Sequence, residues 1–114
     1  HTRFMKPAVE TLRDFSKTVQ VADPAIALWS NNGGRKVSSG SEFVELLVNQ
    51  VSSPVRWDLC MESMVNAGVT GIIELAPAGT LVGLAKRAMP GIESVAVKTP
   101  ENLEAALALI NNHG

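Results

Sequence analysis

The sequence predicts an α/β fold in which a mostly parallel sheet is flanked by helices. Three observations carry this expectation. Helical and strand-like segments follow the order α-β-α-α-β-α-β-α, and each strand-like segment is a short apolar run closed by Gly, Pro or Asn. Hydrophobic residues make up 46% of the chain and charged residues 18%, the composition of a packed domain rather than of a disordered tail. Helices between strands favour parallel pairing through crossovers, hence a sheet covered on both faces. At 114 residues the chain is long enough for one domain and too short for two. Its three strands could close a small sheet, but they read better as one edge of a larger one.

The first helix is expected over 7–17, where Ala8, Val9, Leu12 and Phe15 share one side and Pro7 suits a first helical position. Phe4 and Met5 just before it are expected to anchor the first turn to the core. Asp23-Pro24 marks a turn, and AIALWS at 25–30 reads as a buried strand. Asn31-Asn32-Gly33-Gly34 ends that strand. The two asparagines could line the active-site end of a sheet, although a turn role suits them better. Ser41 can cap a helix over 42–51, with Phe43, Val44, Leu46, Leu47 and Val51 on a broad apolar face.

Pro54 breaks that helix, and the next is expected over 57–67. Trp57, Cys60, Met61, Met64 and Val65 repeat there at spacings of three and four, and Gly68 closes it. GIIEL at 71–75 is a strand. A helix over 79–88 follows, with Lys86 and Arg87 in the last turn, where the macrodipole favours cations. The start of that helix could attract a phosphate, though most helix starts bind nothing. SVAVK at 94–98 is the third strand. Thr99-Pro100 opens the last helix, over 100–111, which leaves His113 at a frayed end.

Bulk properties exclude several functions. The net charge is −1 and no basic run exceeds two residues, so the electrostatic stripe that nucleic acid binding needs is missing. Apolar stretches are interrupted well before membrane-spanning length, and the first residues lack the pattern of a signal peptide. One cysteine excludes an internal disulfide and fits a reducing compartment. Two distant histidines with one cysteine make a poor zinc site, and no nucleophile-elbow, P-loop or dinucleotide fingerprint is present. Cys60, on an apolar face with no His or Lys at helical spacing, reads as a buried thiol rather than a nucleophile. A chain opening on His rather than Met reads as a cloning remnant, a processed product or a fragment of something longer, and the expectation is a cytoplasmic protein whose beginning is missing.

Three ordered blocks carry the reading further. They are HTRFMKPA at 1–8, QVSSPVRW at 50–57 and ELAPAGTLVGLAKR at 74–87. Together they resemble the malonyl-CoA:acyl carrier protein transacylases, over nearly the whole chain. Ala76 and Ala78 stand where that family commonly has glycines, which should stiffen the turn slightly.

The resemblance implies that residues 1–114 are the C-terminal portion of the hydrolase-like large subdomain of an acyltransferase. The nucleophile-bearing segment and a small ferredoxin-like subdomain would lie upstream. It also implies transfer of malonyl from malonyl-CoA to the phosphopantetheine thiol of acyl carrier protein in fatty acid biosynthesis, through an acyl-serine and without a cofactor. His1 would be the general base, and the Gln50 backbone carbonyl would orient its imidazole. The partners implied are acyl carrier protein, malonyl-CoA and the missing N-terminal part of the same enzyme; this chain alone is expected to transfer nothing. Without the resemblance, a leading His reads as a tag remnant or a mobile end, and Gln50 as a solvated residue near a helix end. Two other readings stay open: a piece of a polyketide or multidomain fatty acid synthase acyltransferase, and a non-catalytic α/β interaction module.

Overall fold

A computed structural model describes residues 1–114. It begins with a 3-10 turn, Arg3–Met5, that runs into helix α1, Lys6–Ser16, with Pro7 as its second residue. The backbone N–H at that position has no intrahelical acceptor in any case, so proline is tolerated there. Phe4 is 78% exposed and Met5 43%, which corrects the expectation that they anchor this turn to the core. The Arg3 guanidinium lies 5.1 Å from the centre of the Phe4 ring, and Val9 is the residue that α1 buries.

AIALWS departs most from expectation. Only Trp29–Ser30 is a strand (β1), paired antiparallel with Arg35–Lys36 (β2) in register Trp29↔Lys36 and Ser30↔Arg35. Ile26 is 83% exposed. The reason is the shortness of the partner: after one further bond, Val37 N–H to Leu28 O at 2.8 Å, the chain passes into the cap of the next helix. A strand extends no further than its ladder. The two asparagines sit in the hairpin turn: Asn31 O accepts from Gly33 N–H and from Arg56 N–H, both at 3.0 Å.

Helix α2 spans Gly40–Gln50 and its cap is Ser39, not Ser41. Ser39 Oγ accepts from Glu42 N–H at 3.2 Å, while the Glu42 carboxylate reaches back to Ser38 N–H at 2.8 Å. Several hydroxyls compete in this stretch, and the one with an acidic residue three places on wins, because the two side chains satisfy free N–H groups reciprocally. Helix α3, Trp57–Asn66, buries Cys60 and Met61.

The chain divides into two compact units, His1–Ser63 and Met64–Gly114. The first holds α1, the hairpin, α2 and most of α3. The second begins with the last turn of α3 and then forms β3, Gly71–Leu75, α4, Thr80–Ala88, and β4, Glu93–Val97. β3 and β4 run parallel, in register from Gly71↔Glu93 to Leu75↔Val97, as the alternating order predicts. The parallel sheet has these two strands and not three, because 25–30 is spent on the hairpin. A second 3-10 turn, Pro100–Asn102, leads into α5, Leu103–His113. α4 and α5 both pack on the strands, and Val82, Ala85, Met89, Val97, Ala106 and Leu109 are buried. His113 is not frayed: its Nε2 lies 3.1 Å from Glu93 Oε2 at the start of β4.

Candidate functional site

The candidate site residues, His1 and Gln50, both belong to the first unit. His1 is exposed and precedes the 3-10 turn, which closes through Met5 N–H to Thr2 O at 3.0 Å. Gln50 is the last residue of α2 and is half-buried. No hydrogen bond joins the His1 ring to the Gln50 carbonyl, which instead accepts from Ser53 N–H at 3.1 Å. A carbonyl has two lone pairs, so this leaves it one acceptor position.

The helix that follows His1 is tied to the end of α2. Arg13 on α1 donates through Nη1 to both Glu45 oxygens, at 3.0 and 2.8 Å, and through Nη2 to Asn49 Oδ1 at 3.0 Å. Asn49 Nδ2 donates in turn to Glu45 Oε1 at 3.1 Å. The Arg13 bond holds the Glu45 carboxyl below its ordinary range, with the Asn49 bond acting in the same direction. An exposed pair of this kind adds little stability alone. Its fork geometry instead sets the register of α1 against the last turn of α2. An open cleft of about 560 Å³ lies along the same helices, lined by Lys6, Glu10, Arg13, Asn49 and Ser52 among others.

The QVSSPVRW block is a hydrogen-bonded turn. Ser53 Oγ donates to Asn49 O at 2.7 Å, and Gln50 Nε2 donates to the carbonyl oxygens of Ser53 and Pro54, at 3.1 and 3.0 Å. Two polar atoms of this block, Gln50 Oε1 and Trp57 Nε1, are buried without a partner.

Cys60 is a packed thiol. It is 1% exposed, and its Sγ lies 3.4 Å from both Ser30 O and Asn31 Oδ1. Burial pushes its pKa up, away from the thiolate that a nucleophile requires.

Sequence reading missed Glu74. This carboxylate is buried at 8% exposure on β3 and takes three backbone N–H groups at the start of α4. Gly79 and Val82 donate to Oε2, at 2.8 and 3.0 Å, and Leu81 donates to Oε1 at 3.1 Å. The helix start considered as a phosphate site is therefore filled by the protein's own anion. The signal was available: one acid in an otherwise apolar strand, a few residues before a Pro and Gly turn.

The Val82 bond is the main cause that lowers the Glu74 pKa from its ordinary 4.5; burial opposes it, and the Gly79 and Leu81 bonds and nearby Lys98 reinforce it. A depressed folded pKa contributes stability that is present above the unfolded value and lost as pH falls through the folded one. Glu74→Ala is accordingly expected to lower Tm by roughly 5–10 °C at neutral pH, since it orphans three donors. The gap from the parent should narrow as pH falls below 4.5. Thermal melts at both pH values check this, and a gap independent of pH would show that the charge is not what matters.

No protein-family model matches the sequence. Individual proteins do. The chain is 42% identical over 104 residues, 91% of its length, to the malonyl CoA-acyl carrier protein transacylase of Mycobacterium tuberculosis, of which it covers 34%. It superposes on the crystal structure of MCAT from Mycobacterium tuberculosis with a TM-score of 0.86, covering 92% of this chain and 35% of that one. A third likeness, with a TM-score of 0.84 and 29% identity over 95% of this chain and 35% of the other, is to the malonyl-transacylase PlMCAT, solved in complex with the holo form of a type II PKS acyl-carrier protein, AntF. The chain thus spans about a third of the length of the relatives it matches.

Proposed function

Over the third of their length that it spans, the chain belongs to the malonyl CoA-acyl carrier protein transacylases, and from that premise we propose that the whole protein moves malonyl from malonyl-CoA to the phosphopantetheine thiol of acyl carrier protein. The observation that carries this reading is joint likeness in sequence and fold across nine-tenths of the chain. Residues 1–114 are on this reading the C-terminal portion of the large subdomain of an acyltransferase of fatty acid biosynthesis. No helix is long and apolar enough to cross a membrane. A cytoplasmic location is part of the proposal and rests on the kinship alone.

The proposed chemistry has two halves. A serine outside these residues attacks the malonyl thioester while the His1 imidazole takes its proton; the C–S bond then breaks and the departing CoA thiolate receives that proton. In the second half the carrier protein's thiol gives its proton to His1 as its sulfur attacks the acyl-serine. The serine oxygen then leaves with the proton, regenerating the enzyme. One ring nitrogen of His1 must donate to a fixed acceptor so that the other is free to take a proton, and the Gln50 carbonyl is that acceptor. Its one remaining acceptor position and the tie between α1 and α2 support this assignment. No cofactor enters the scheme.

The test is direct. The full-length protein incubated with malonyl-CoA should gain one malonyl group by intact mass and pass it to holo acyl carrier protein. The 114-residue chain alone should do neither. Transfer by the chain alone, or no acylation of the full-length protein, would sink the proposal.

A further inference from the structure

We infer that the Gln50 side chain, and not only its backbone, is a positioning residue: its amide braces the 50–54 turn and so fixes the direction of the carbonyl proposed to orient His1. This rests on the reading of His1 as the base. Both Nε2 protons are used, on Ser53 O at 3.1 Å and Pro54 O at 3.0 Å. The amide orientation follows from that, because the reverse placement would set its oxygen against two carbonyl oxygens. Ser53 closes the same turn from the other side, donating its N–H to Gln50 O and its hydroxyl to Asn49 O. Residue 50 is thereby held through its side chain and its carbonyl by one pair of residues, 53 and 54. Gln50 Oε1 is buried with no partner, so the amide gives up one acceptor bond to keep its two donors on the turn. Asn49, the preceding residue, is clamped to α1 by Arg13, which ties this turn to the helix that follows His1. The side chain acts at one remove from the chemistry: without the brace the carbonyl swings, and the imidazole loses the acceptor that favours its protonated form.

The experiment uses the full-length protein and the variant Gln50→Met, which keeps length and backbone carbonyl but has no donors. Expected are a kcat about ten- to a hundredfold lower, KM for malonyl-CoA little changed, and an acid limb of the kcat profile moved to lower pH. A kcat and an acid limb equal to the parent's would overturn the inference. The parallel variant His1→Ala separates the two layers. If it transfers malonyl normally, the base reading falls and this one with it; if it is inactive while Gln50→Met is unchanged, only the brace falls. Should Gln50→Met fail to fold, hydrogen exchange of the Gln50 side-chain amide in the parent protein decides. Slowed exchange supports the brace, and exchange as fast as in a free amide refutes it.

Discussion

His1→Ala in the full-length protein should lower kcat for malonyl transfer by about 10²–10⁴-fold, the span that a positioned general base supplies. Nothing proposed for His1 involves binding, so KM for malonyl-CoA should stay close to the parent value. In the proposed scheme the neutral imidazole is the reactive form, so the parent's rate should rise with pH through one acid limb, and the variant should lose that limb. Mass spectrometry adds a second readout. Acylation should fail along with turnover, since the proposed scheme uses the same imidazole in both half-reactions. A variant that acylates at the parent's rate would remove His1 from the mechanism, whatever its overall turnover.

Gly34→Ala should be strongly destabilising to the first unit, by roughly 3–5 kcal/mol. Two independent costs add. Gly34 has φ +63, a region that side-chain-bearing residues enter at a penalty. It also lies against the first turn of α3: an added Cβ would overlap Cβ and the carbonyl carbon of Leu59 and come within 2.6 Å of Cys60 N. These contacts are mostly backbone, so no rotamer change relieves them. Gly33 provides the control. It shares the turn and a positive φ, at +81, but a Cβ there meets nothing within 4 Å. Gly33→Ala should therefore cost only the conformational part, about 1 kcal/mol. Equal effects of the two in denaturant titrations would mean that the close approach of hairpin to helix is absent.

Much of the architecture was legible because it is written in short windows. Helix 57–66 repeats its apolar residues at three and four, and Gly68 ends it with φ +82. The strands at 71–75 and 93–97 are apolar runs bounded by turn residues. Ser39 was missed in favour of Ser41 although its rule is local too; the acid at 42 held the information. His1 and Gln50 were singled out by resemblance, since no spacing or composition argument would select either.

What the sequence by itself determined is the α/β class, the order of the helices, the parallel pairing of the two later strands and the kinship carried by three motif blocks. Hydrophobic period, caps and turn residues act over a few positions and are read without knowing what lies across the fold. Only the tertiary structure decided that 25–30 yields two paired residues rather than a buried strand, that Phe4 and Met5 stay exposed, and that His113 is held by Glu93. It also decided that Glu74 fills the start of α4. A strand needs a partner of matching length, a buried carboxylate needs donors aimed at it, and a chain end needs something to hold it. Each of those partners exists only once a distant or intervening segment has folded into place.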